Sequence, residues 1–337
     1  MHREAIAQLT ASRLELGGRI MCSRPVRNFE RRLIDKRPTP NSRGQSRQYL
    51  GRYSPRGQGL AVLTHWKNQP EVSLLLKDKL PVGSVLHPDL SFDGQRILFS
   101  FCDHTEQDLN RRRFLIYEIG IDGKGLRQIT GGLNDPMTTT ENRETAIVED
   151  YDPCYLPDGG FIFTSTRQQA HIRCQYGGRY FANFVLHRGE LDKVDELGPR
   201  VARISFNEAP EWEPSVRADG SVLYTRWDYI NRHWNWFQSL WLTKPDGTGV
   251  AHVYGNYTRS PCITAEPRAI PGSNKIVSTA AAHHGYTAGS LILIDPQIGT
   301  DGPGPITRLT PEVTFPESEY HGATPEQAHS LIHSAQG

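Results

Sequence analysis

The chain has 337 residues, 37% of them apolar and 22% charged, with a net charge of +1. No apolar run approaches the ~20 residues that span a bilayer, and a near-neutral balance by itself points to no nucleic-acid partner. The 31 Gly and 23 Pro suit a β protein rich in turns.

Residues 1–17 have weak helical spacing, with Ala5, Leu9 and Leu14, and no apolar core of the kind a signal peptide needs. Residues 18–22 look like a strand leaving a glycine turn. Residues 24–58 are rich in Arg, Pro, Ser and Gly and read as loop. Residues 1–58 hold thirteen Lys and Arg against four Asp and Glu, so the rest of the chain is acidic. No aromatic stacking pattern accompanies this basic arm, which reads as a solvated lead-in. Leu60–Leu63 and Val72–Leu76 read as strands of an incomplete first blade.

A repeat then begins. His87-Pro88-Asp89 is followed by the turn Phe92-Asp93-Gly94 and the strand Ile97-Leu98-Phe99-Ser100. Asp152-Pro153-Cys154 is followed by Pro157-Asp158-Gly159 and Phe161-Ile162-Phe163-Thr164. Glu213-Pro214-Ser215 and Glu266-Pro267-Arg268 open two more copies. The prolines are 65, 61 and 53 residues apart. In these turns Asp bonds the local backbone and Gly takes positive φ. A second hairpin follows in the first, third and fourth copies: Phe114–Ile119 with Leu126–Thr130, Ser239–Thr243 with the turn Pro245–Gly249, and Leu291–Asp295 with Ile306–Thr310. Two hairpins per unit make a four-stranded propeller blade. Polar insertions are expected at 131–149, 168–181 and 228–237. About five blades are visible, counting the degraded first. The expected domains are a basic lead-in with a partial blade (1–58), an all-β propeller (59–319) and an irregular tail (320–337).

The repeat resembles the TolB-like β-propeller family, through its Pro-Asp-Gly turn and the hairpin Asp122–Thr130. A narrower resemblance is to the propeller-bearing proteins similar to the middle domain of the hydrazine synthase alpha subunit. It is carried by Tyr151–Gly159, Phe163–Arg167, Leu223–Trp227, Pro245–Gly249 and His283-His284-Gly285 with Leu291–Pro296. The resemblance implies six or seven blades in an intact fold, a chain truncated at both ends, and a periplasmic or exported setting, although no signal peptide is visible. Covalent haem is not carried over, because the sequence has no C-x-x-C-H.

Three groups are candidate sites. The residues before the four prolines, His87, Asp152, Glu213 and Glu266, would ring one mouth of the channel if each proline starts an innermost strand. A ring of carboxylates and imidazole suits Ca²⁺ or a transition metal. The structural alternative is that each residue bonds its own turn or a neighbouring blade's backbone. His283 and His284 are adjacent, so on a strand only one faces the channel. A metal ligand, a general base working with an acidic residue, or a structural histidine beside a turn each fits. Trp234 and Trp236 offer a loop-face platform for a ligand or protein partner; Trp227 and Trp241 are assigned to strands. The five cysteines show no close pairing, and Cys154 reads as a small buried hydrophobe. No G-x-S-x-G elbow or Gly-rich phosphate loop is present. The expected function is therefore a non-catalytic binding or scaffold propeller of a larger exported protein, with a protein or small-ligand partner. The alternatives are a metal-dependent enzyme domain using the channel mouth, or a haem-less relative of the hydrazine synthase subunit. No cofactor follows from the sequence beyond a divalent metal at that mouth.

Overall fold

The computed structural model describes residues 31–36, 49–57, 59–65, 69–133, 135, 147–168, 170, 172, 182–229, 237–258, 260–282, 287–313 and 315. These divide into two compact units, one holding 31–34 and 61–74, the other 35–60 and 75 onwards. Among the described residues the only helical element is a short 3-10 turn, Gly51–Tyr53, and no helix is long and apolar enough to cross a membrane.

The first unit is built on a three-stranded sheet in the order β1 (Arg31–Lys36), β2 (Gly59–Thr64), β3 (Glu71–Leu74). The apolar run of β2 is buried and β3 is exposed. Strand β1 corrects the expectation of loop across 24–58. Its sequence, Arg-Arg-Leu-Ile-Asp-Lys, has no period-two alternation, so pattern reading passes over it.

The second unit holds four blades, each of four antiparallel strands. Blade 1 is β4 (Gly83–Leu90), β5 (Arg96–Asp103), β6 (Phe114–Gly120) and β7 (Arg127–Gln128). Blade 2 is β8 (Asp150–Tyr155), β9 (Gly160–Ser165), β10 (Val185–Glu190) and β11 (Val201–Arg203). Blade 3 is β12 (Glu211–Val216), β13 (Val222–Trp227), β14 (Gln238–Thr243) and β15 (Ala251–Tyr254). Blade 4 is β16 (Ile263–Ala269), β17 (Ile276–Ala281), β18 (Ser290–Ile294) and β19 (Ile306–Arg308). Blades 3 and 4 are joined by one parallel bridge, Gln238 to Ile263.

Burial explains the composition. Strands β8 and β9 are buried at every residue, because an inner strand is covered on both faces by neighbouring blades. Outer strand β18 alternates buried and half-buried. Interfaces between blades are apolar: Leu98 and Ile116 with Phe161 and Phe163, Ile162 and Leu186 with Val222 and Tyr224, Leu240 and Tyr254 with Ile276 and Ile292. Each such side chain contributes roughly 1.5–3 kcal/mol on burial. Cys154 is buried, as expected. The Asp-Gly turns work as predicted: Gln95, Gly160, Ser221 and Thr248 donate their N–H to Asp93, Asp158, Asp219 and Asp246, two residues back.

The prolines do not start strands. Each sits inside an innermost strand at a β-bulge, where the register shifts between Leu86 and Asp89, Tyr151 and Cys154, Trp212 and Ser215, and Ala265 and Arg268. Proline has no N–H, so a bulge is where an inner strand tolerates it.

Candidate functional site

The residue before each proline is left-handed. His87, Asp152, Glu213 and Glu266 have φ of 40°, 50°, 55° and 52°. Such a conformation is uncommon for non-glycine residues and disfavoured before proline. Its repetition in four blades brings one side chain per blade together.

Two of these carboxylates hold the next blade. Asp152 Oδ2 accepts the Glu213 N–H at 3.0 Å, and Glu213 Oε2 accepts the Glu266 N–H. This is the role named by the structural alternative, and it accounts for one oxygen of each. The remaining geometry centres on His87. Its Nδ1 is 2.5 Å from Asp152 Oδ1, and its Nε2 is 3.7 Å from Glu266 Oε1. One ligand atom from each of His87, Glu213 and Glu266 lies within 4.8 Å of the others. Asp152 stands outside that triplet, behind the imidazole. A carboxylate on one ring nitrogen fixes the tautomer and presents the other nitrogen as acceptor, the usual arrangement behind a metal-ligating histidine.

Electrostatics follow from burial. Asp152 and Glu213 are buried, whereas the Glu266 side chain is 38% exposed. Burial, then the Glu266 carboxylate, push Glu213 up to about 7. Among the described residues none of the three carboxylates is ion-paired to Lys or Arg. Hydroxyls support two of them: Thr225 Oγ1 donates to Glu213 at 3.5 Å and Thr279 Oγ1 to Glu266 at 3.0 Å. These threonines pair across the second strand with Trp212 and Ala265.

Sequence reading missed Tyr49. Its hydroxyl donates to Glu213 Oε1, and its ring packs against His87, Phe184 and Trp212. Burial holds its phenol well above the ordinary value. Tyr49 precedes the repeats, so no column points to it. The support from Thr225 and Thr279 had a signal, the hydroxyl residue near the end of each second strand. His283, His284, Trp234 and Trp236 lie outside the described residues.

Blade 2 also carries an open cleft of about 1070 Å³, lined in part by Asp135, Arg167, His187, Arg200 and Arg203. Arg167 is bound to both Asp135 and Asp150. His187 is buried, its Nδ1 2.9 Å from the Val185 carbonyl, and burial pushes it down to about 4. Arg167 and Asp135 in this lining are thus already engaged with each other.

No family model matches the chain, and no curated protein matches it. Among solved structures, hydrazine synthase from Kuenenia stuttgartiensis is similar at a TM-score of 0.62 and 16% identity, over 84% of this chain and 39% of that one. A puromycin hydrolase follows at 0.44 and 16%, over 76% and 33%. Oligogalacturonate lyase from Vibrio parahaemolyticus follows at 0.37 and 14%, over 65% and 50%. The last two, below 0.5, add no argument. The chain spans about two-fifths of the hydrazine synthase chain. Its blades have a propeller fold like that of hydrazine synthase, and at 16% identity the likeness is one of fold alone.

Proposed function

We propose that this propeller is a binding domain that holds one divalent cation where its inner strands meet, through His87 Nε2, Glu213 and Glu266. The observation that carries the reading is the convergence of these three ligand atoms within 4.8 Å, with Asp152 bonded to the opposite imidazole nitrogen. One nitrogen with two carboxylates suits Zn²⁺ or Mn²⁺ better than Ca²⁺, which prefers an all-oxygen shell. A cation would also neutralise carboxylates that no Lys or Arg pairs among the described residues. Binding of a protein or small ligand, and work inside a larger exported protein, rest on the sequence resemblance alone.

Calorimetric titration of the chelator-treated protein with Mn²⁺ and Zn²⁺, backed by elemental analysis, tests this. One ion per chain is expected, with affinity lowered at least about tenfold in Glu266→Gln. That variant keeps the backbone N–H that Glu213 holds. Absence of a stoichiometric ion from the wild-type protein would refute the reading and leave the ring a set of contacts between blades.

A further inference from the structure

The three proposed ligands come from three different blades: His87 from β4, Glu213 from β12 and Glu266 from β16. The contacts that pass from blade to blade are direct at each step but one. Blade 1 meets blade 2 through His87 with Asp152 and through the Tyr155 N–H on Asp89 at 2.9 Å. Blade 2 meets blade 3 through Asp152 and the Glu213 N–H. Blade 3 meets blade 4 through Glu213 and the Glu266 N–H, the Ser215 hydroxyl on the Pro267 carbonyl at 2.8 Å, and the parallel bridge. Among the described residues the strand pairing that joins two blades is the Gln238–Ile263 bridge of blades 3 and 4, and none of the hydrogen bonds above runs from blade 4 to blade 1. Across that step His87 and Glu266 approach to 3.7 Å, too far for a hydrogen bond, and the Arg268 guanidinium acts on the Asp89 carboxylate through its charge.

We propose that the cation is the clasp between blade 4 and blade 1. The inference rests on the cation site proposed above. Without an ion, Glu213 and Glu266 repel each other, and His87 meets Glu266 only at long range. With an ion, His87 and Glu266 become two ligands of one centre, and opening the step costs both metal bonds. Asp152 serves as the positioning residue that aims the imidazole across the gap. The carboxylate of Glu266 is available for this because, unlike Asp152 and Glu213, it holds no backbone N–H of a further blade among the described residues.

Amide hydrogen exchange of the intact chain, with and without saturating Mn²⁺ and with binding followed by calorimetry in the same samples, is the test. Peptides covering β4–β5 and β16–β17 should both exchange about tenfold or more slowly with Mn²⁺, by a common factor, because one opening exposes both. Peptides covering β9–β10 should change less. Glu266→Gln, which also removes the repulsion with Glu213, should show no slowing on addition of the same Mn²⁺, and Asp152→Asn should bind Mn²⁺ weakly and lose the common factor. Stoichiometric Mn²⁺ binding with β4–β5 or β16–β17 unchanged would overturn the clasp while leaving the cation site standing. No Mn²⁺ binding at all would overturn both.

Discussion

Four backbone outliers at equivalent positions need a reason, since each costs roughly 1–3 kcal/mol. The left-handed turn at Glu213 and Glu266 aims an N–H sideways at the preceding blade's carboxylate, and the hydrogen bond to a charged group offsets the strain. Glu213 carries the most, receiving Tyr49, Glu266 and Thr225. In chelator, Glu213→Ala should lower stability by about 3 kcal/mol, because it leaves a buried hydroxyl and a buried N–H without an acceptor. Glu213→Gln should cost under about 1 kcal/mol: its carbonyl takes the Glu266 N–H, and its amide donates to the Tyr49 oxygen. Urea unfolding separates the two, and equal losses would show that contact geometry at this position does not depend on acceptors. The column itself was legible, because aligning four prolines exposes the residue before each. Its backbone conformation was not, since nothing in the sequence forces an acidic residue to positive φ. Tyr49 was also hidden, being a single contact from outside the repeat.

Strand positions were legible where each blade repeats a turn and an apolar run; the outermost strands, two to four residues long, show as little more than the end of a hairpin. Placing proline at a strand start was the natural reading and the wrong one, because a bulge hides an interruption inside a continuous strand. The turns differ in what they tolerate. Gly247 has φ of 84°, and an added Cβ would lie 2.2 Å from the Ile204 carbonyl oxygen. Gly220 has φ of 79° with nothing within 4 Å. Gly220→Ala should therefore cost about 1 kcal/mol, the conformational penalty alone, and Gly247→Ala at least about 2 kcal/mol more, since backbone must move. Thermal denaturation of both variants decides it. Similar shifts would mean the turn at Gly247 swings clear of Ile204 at little cost.

At the level of the whole unit, buried acids set the pH response. Glu149 lies at a junction: its Oε2 accepts the Gly51 N–H at 2.8 Å and the Phe114 N–H at 3.1 Å. Burial pushes it up to about 7, from an ordinary 4.5. Both bonds fall on one oxygen, so the other can carry a proton without losing either. Between pH 4.5 and 7 the folded state binds the proton more tightly than the unfolded chain. The stabilisation is thus complete below 4.5 and lost as pH rises through 7, amounting to about 3 kcal/mol. Glu211, also raised to about 7 by burial, acts with the same sign. His104 and His187, pushed down to about 4 by burial, act oppositely, weakening the fold as pH falls below 6.5. With Glu213 also raised to about 7, three such acids face two histidines, so as pH falls stability in chelator should rise steeply from pH 8 to about 6.5 and more gently from there to about 4.5. Glu149→Gln mimics the protonated acid at every pH. It should match the wild type near pH 5 and exceed it at pH 8, by up to about 3 kcal/mol. Urea midpoints at the two pH values measure this directly. A variant equally destabilised at both would mean that Glu149 is held as a carboxylate, its charge compensated by the two N–H donors.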